Sequence, residues 1–183
     1  MEELVVNHCT ITPVRQEPSE GSEQLTQLLF GEVCEVLDRL PRWTKIRSTV
    51  DGQEGWVDFK ILEHVGDEAM GRLGDEEMGR VAVPMAIATD METGAELMLT
   101  LGTRLPNYAH GTFEVLDKQY LINPDCVYDL EGSLQDDRLA SPTGVKGEDV
   151  CAVAHRLLNV PYLWGGKNAM GMDCSGFTQV VYG

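Results

Sequence analysis

The sequence predicts a mainly β chain, with two small barrels of short strands followed by two helices. Three observations lead there. Period-two apolar runs broken by turn residues fill the first 65 residues and resume at Val81. Apolar residues at helical spacing follow from about residue 145. Glycines at Gly165, Gly166 and Gly171 then separate the two helical patterns.

Residues 1–65 read as the first barrel. Cys9 to Val14 alternates and stops at the turn formers Pro18, Ser19 and Gly21; Leu25–Leu29 and Val33–Leu37 are split by Gly31. Trp43–Arg47, a turn at Asp51-Gly52, and Gly55-Trp56-Val57 make the strongest hairpin signal in the chain. About five short strands with tight turns in that length suit a small barrel. Residues 66–80 form an acidic linker, in which Gly66-Asp67-Glu68-Ala69-Met70-Gly71-Arg72 recurs as Gly74-Asp75-Glu76-Glu77-Met78-Gly79-Arg80. Its carboxylates have no rigid cage around them, so a solvated loop is expected and no metal site. Residues 81–138 read as the second barrel, with strands at Val81–Ala88, Leu97–Leu101, Thr112–Leu116 and Gln119–Ile122, and with Tyr108, His110 and Tyr128 at its core or rim. Residues 139–183 complete the chain. There a polar stretch to Pro142 leads to Thr143 as a candidate N-cap, an amphipathic helix over 145–158, and a stop at Asn159 and Pro161.

Composition narrows the partners. Of 183 residues 43% are apolar and 24% charged, which is ordinary for a folded protein, and the net charge is −16 from 30 acidic and 14 basic side chains. Such a field repels nucleic acid and anionic membrane surfaces. No apolar run is long enough to span a bilayer. Five scattered cysteines without CxxC spacing read as free thiols, with Cys9, Cys34, Cys126 and Cys151 as buried structural ones. No cofactor is implied.

Cys174 stands apart. It follows a Gly-rich loop and precedes Phe177, Val180 and Val181 at helical spacing, so it falls in the first turn of a helix. A helix N-terminus stabilises a thiolate, and its exposed N–H groups can hold an oxyanion. Gly176 lets the backbone approach closely. A buried helix-capping cysteine is the competing reading of the same residues.

The segment Pro161-Tyr162-Leu163-Trp164-Gly165-Gly166, followed eight residues after its second Gly by Cys174-Ser175-Gly176-Phe177, resembles the signature of NlpC-type papain-like cell-wall cysteine peptidases. The run from Val14 to Glu32, with Glu54-Gly55-Trp56-Val57 closing the hairpin, resembles a bacterial SH3-like domain. Two such barrels ahead of that motif are similar to the γ-D-glutamyl-diamino-acid endopeptidases that cut murein peptides, which implies that residues 139–183 are the N-terminal, helical part of an incomplete α+β papain-like peptidase domain. The resemblance implies Cys174 as nucleophile, Tyr162 over the active site, and Asp173 and Ser175 flanking, with the aspartate helping to hold the substrate's free N-terminal amine. An acidic residue of the first barrel shares that task; Glu23 is the best candidate, with Glu17 and Glu20 as competitors. The implied partners are murein peptides with a free N-terminal L-Ala, and the implied place is the bacterial cytoplasm, because Met1-Glu2-Glu3-Leu4 does not start a signal peptide, or the envelope if one was removed.

One part of the pattern is missing. A thiolate peptidase needs a base, and the family's histidine follows the cysteine helix, whereas His8, His64, His110 and His155 all precede Cys174. The sequence stops at Gly183 inside an apolar helix, which reads as a truncated copy without appreciable hydrolysis of its own. The two helices lack a sheet of their own, so Val180 and Val181 must dock on the barrels or a neighbouring chain, or stay poorly ordered. A non-catalytic module binding cell-wall peptides or a protein is the rival function. A thiol redox protein is disfavoured by the absence of a resolving cysteine.

Overall fold

A computed structural model of the chain describes residues 3–66, 79–129 and 147–182. The duplicated linker motif over 67–78, the polar stretch over 131–142 and Thr143 lie outside them. The fold is mainly β, as the alternation predicts.

The first unit is one antiparallel sheet of seven strands: β1 (Leu4–Asn7), β2 (Ile11–Arg15), β3 (Gln24–Leu29), β4 (Val33–Arg39), β5 (Trp43–Ser48), β6 (Glu54–Asp58) and β7 (Leu62–His64), in the order β3-β2-β6-β5-β4-β1-β7. Strands β2 and β6 alternate buried and half-buried residues, the period that turns one face inward. Their Val14 and Val57 meet Val5, Leu28, Cys34 and Ile46 in the core. The β5–β6 hairpin runs in register from Trp43↔Asp58 to Arg47↔Glu54, and its Asp51 carboxylate accepts the Gln53 N–H at 3.0 Å. Strand β1 gives no alternation to read, because both of its faces are covered. Val5 points into this core, whereas Val6 points into the next one.

The second unit holds β8 (Gly79–Val81), β9 (Met85–Asp90), β10 (Glu96–Thr100), β11 (Arg104–Leu105), β12 (Thr112–Val115), β13 (Lys118–Ile122) and β14 (Val127–Asp129). These form a four-stranded sheet, β10-β9-β13-β12, and a three-stranded one, β11-β8-β14. The single strand expected over Val81–Ala88 is therefore two. Pro84 lies in the break, where it has no N–H to donate and its carbonyl accepts the Leu101 N–H at 3.3 Å. Tyr108 is buried, whereas His110 and Tyr128 are exposed. The core of this unit includes residues of the first: Val6, Phe30 and Val65 pack with Val81, Leu99, Leu105, Phe113, Tyr120 and Ile122.

Helix α1 (Gly147–Arg156) and helix α2 (Cys174–Tyr182) flank a short hairpin of β15 (Lys167–Asn168) and β16 (Gly171–Met172). The predicted stop holds: Asn159 takes a left-handed φ of 69°. The apolar faces of the helices dock on the second unit. Val180 and Val181 are buried with Leu101, Leu157 and Met172, against which Val150, Val153 and Ala154 of α1 pack. Arg156 also donates to the Ala82 carbonyl.

All five cysteines are free. Burial pushes the Cys34 thiol up to about 12, and the neighbouring Glu32 carboxylate adds to the rise, so this thiol stays protonated and inert. Cys9 and Cys126 are half-buried. Cys151 corrects the expectation of a buried structural thiol: it is exposed, on the outer face of α1, because the apolar stripe of that helix runs through Val150, Val153 and Ala154 instead.

Candidate active site

Cys174 is the first residue of α2 and is exposed. Asp173 caps the helix in front of it. Its Oδ1 accepts the Gly176 N–H at 2.8 Å and the Ser175 hydroxyl at 2.6 Å, and its Oδ2 accepts the Gly165 N–H at 2.8 Å. Burial works against the Asp173 charge, but these bonds from Gly176, Ser175 and Gly165 together hold its carboxyl below the usual aspartate value. The Phe177 N–H goes to the Asp173 carbonyl at 2.9 Å. Among the described residues the Cys174 N–H has no acceptor, so the donor nearest the sulfur is free for an oxyanion.

The loop before the helix is tied back strand by strand. Leu163 donates to the Met172 carbonyl at 3.2 Å, Met172 to Pro161 at 3.1 Å, Gly166 to Leu163 at 3.0 Å and Asp173 to Gly166 at 3.1 Å. The helix enters so close to this loop that a Cβ on Gly176 would lie 2.0 Å from the Gly166 carbonyl oxygen. Tyr162 bridges to Met172 and leaves its side chain 69% exposed beside the loop.

The first unit is stitched to this loop. Trp164 Nε1 donates to Glu23 Oε1 at 2.9 Å, and Gln24 Nε2 donates to the Trp164 carbonyl at 2.9 Å. Gly165 follows with φ +68°, its Cβ position 2.6 Å from the Gln24 carbonyl oxygen, where a side chain has neither the space nor the conformation. Gln27 Oε1 accepts from the Lys167 N–H at 3.0 Å and from Asn168 Nδ2 at 2.6 Å. Lys167 Nζ lies 2.9 and 3.0 Å from the two oxygens of Glu32. This ion pair is buried, with side chains 4% and 7% exposed; burial raises the Glu32 carboxyl and the Lys167 ammonium opposes that rise.

Of the three acidic candidates, Glu23 contacts the nucleophile loop. Glu20 faces Arg42 at 3.6 Å, and the Glu17 N–H donates to Ser22 at 2.9 Å in a local turn. Three of the histidines have partners of their own, His8 Nε2 with the Lys60 carbonyl at 3.1 Å, His155 Nδ1 with the Cys151 carbonyl at 2.7 Å and His64 beside Glu3 at 4.0 Å, and His110 lies in an exposed turn. Sequence reasoning missed Trp164, Gln27, Glu32 and Lys167. The one available signal was a lysine inside an apolar, Gly-rich stretch, a charge that needs a partner if buried.

A bacterial SH3 domain model matches residues 12–63, and an NlpC/P60 family model matches residues 159–183. Over these two stretches the chain is similar to a bacterial SH3 domain and to the NlpC/P60 family. A gamma-D-glutamyl-L-lysine dipeptidyl-peptidase from Bacillus cereus is 27% identical over 172 residues, covering 86% of this chain and 49% of that protein. The protein of the same description from Bacillus subtilis is 27% identical over 174 residues, covering 86% of this chain and 52% of its own length. The chain thus spans about half the length of the curated relatives it matches. The crystal structure of an NlpC/P60 family protein from Bacillus cereus superposes with a TM-score of 0.76 at 21% identity, over 98% of this chain and 71% of that one, so the two share a fold. In these terms the stitches run from Glu23, Gln24, Gln27 and Glu32 of the SH3 domain to Trp164, Lys167 and Asn168 of the NlpC/P60 segment.

Proposed function

We propose that the chain forms the nucleophile and amine-recognition half of a cysteine endopeptidase that cleaves murein peptides between γ-D-glutamate and the diamino acid. The observation that carries this reading is the exposed Cys174 at the start of α2, with Glu23 of the other unit hydrogen-bonded to the loop before it. The peptidase names of the two Bacillus relatives support the reaction class. Cys174 Sγ, as thiolate, attacks the γ-carbonyl and the Cys174 N–H takes the oxyanion. Collapse forms a thioester and expels the diamino acid's amine, which takes a proton; water then releases the γ-D-Glu product and the thiol.

Substrate selection rests on the free amine of L-Ala. Trp164 holds one oxygen of Glu23 and leaves Oε2 for an ammonium group, a charge-assisted bond that is strong in a partly enclosed site. Asp173 adds negative charge from below, although three donors already share its carboxylate. Tyr162 and Ser175 border the same approach. We take the proton-transfer base to be a histidine other than these four, since His8, His64 and His155 have partners of their own and His110 lies in an exposed turn.

Calorimetric titration tests the recognition half. The dipeptide L-Ala-γ-D-Glu should bind at least tenfold more tightly than its N-acetyl form, and Glu23→Gln should remove that preference. Equal affinity for the two peptides would sink the assignment. In the same preparation L-Ala-γ-D-Glu-diaminopimelate should not turn over, and turnover abolished by Cys174→Ala would place the base among the four histidines. Binding without any amine preference favours the rival reading of a general cell-wall binding module.

A further inference from the structure

The first sheet, the second unit and the NlpC/P60 segment meet around a cavity of about 40 Å³ whose lining does not include Cys174. Its lining includes Leu29 and Glu32 of the first unit, Arg80 and Arg104 of the second, and Lys167 and Gln179 of the last segment. Arg80 and Arg104 are directly opposed in the β8–β11 register, so their side chains leave the same face of the sheet. Like charges in that relation repel. Lys167 does not relieve them, and Glu32 is already held in both its oxygens by Lys167.

Two further facts mark a missing counter-charge. Arg80 Nε is buried and without a hydrogen-bond partner, and neither arginine forms an ion pair among the described residues. Burial, and after it the Arg104 charge, lower the Arg80 guanidinium to about 10. Three cations and one carboxylate thus line a pocket in a chain whose net charge is −16. An orphaned guanidinium N–H in a low-dielectric pocket is costly, and a planar fork of donors matches a tetrahedral oxyanion.

We propose that this junction cavity binds a phosphate group through Arg80 and Arg104, with Lys167 and Gln179 as neighbours. Its size admits an ion of a few heavy atoms and excludes a sugar or a peptide residue. The bound anion ties all three parts of the fold together, independently of the peptide site. Its failure and that of the proposed peptidase reading are therefore separable.

The test is thermal unfolding of the 183-residue chain in inorganic phosphate against chloride at matched ionic strength. At tenfold excess over Kd the phosphate should raise Tm by about 3–6 °C. Arg80→Met and Arg104→Met should lose that shift while melting in chloride no lower than the parent, because each removes a repulsion. If Arg80→Met does not fold, the half-buried Arg104→Met and calorimetric titration of phosphate into the parent decide the matter. A phosphate shift absent from the parent, or equally large in the variants as a general salt effect is, overturns the proposal. Glycerol phosphate in place of inorganic phosphate separates the sources: equal binding marks a phosphate end group as the ligand, and loss marks the free ion.

Discussion

The Gly176 backbone passes so near the Gly166 carbonyl that it leaves no room for a Cβ, and that contact helps set where Cys174 stands. Gly176→Ala should therefore cost more than about 2 kcal/mol, by strain against a backbone oxygen that has no room to retreat, and a urea melt of the variant measures it. The cap beside it gives a pH prediction. The Asp173 carboxyl is held below its unfolded value, so the stability it contributes is fully present above the unfolded pKa, about 3.9, and is lost as pH falls through the folded one. Asp173→Asn should therefore melt lower than the parent at pH 7, by roughly 1 kcal/mol for a lost cap, and the gap should close below about pH 4. A gap that widens in acid would reverse the sign of this assignment. The place of Cys174 at a helix start was legible in the sequence because glycine and helix-spacing signals are local, whereas Asp173 was read there as an amine ligand and not as the cap it forms. The Trp164–Glu23 bond spans 141 positions and has no local signature.

At the scale of elements, the short hairpin β15–β16 carries the only buried ion pair found among the described residues, Lys167–Glu32. Removing one partner strands the other charge, so Lys167→Met or Glu32→Leu alone should cost about 3–5 kcal/mol. The double variant should recover most of that loss, since two apolar groups of similar volume leave no charge behind. A double-mutant cycle on unfolding free energies reads the coupling; additive losses would mean the pair is not a unit. Strands with one wet face were readable from alternation, as β2 and β6 show. Strand β1, covered on both faces, was not, and the break at Pro84 between β8 and β9 was hidden inside one apolar run.

For the molecule as a whole, Phe30 is the informative side chain. It belongs to the first sheet's sequence but lies in the second unit's core, edge-on to Tyr120 with ring centroids 5.5 Å apart. A core shared in this way couples the units, so both should unfold in one transition, with far- and near-ultraviolet dichroism coinciding. Phe30→Ala should lower that single transition by about 3–5 kcal/mol. Two separated transitions in the parent would contradict the shared core.

By itself the sequence determined the class of the fold, the helix that begins at Cys174, and the likeness to NlpC-type and SH3-like patterns, since each depends on residues near one another in the chain. Tertiary structure alone decided which acidic residue reaches the nucleophile loop, what covers Val180 and Val181, and why Lys167 is tolerated inside the protein. Those outcomes depend on contacts between segments far apart in sequence. Burial there is a property of the assembled surfaces, and no periodicity along the chain encodes it.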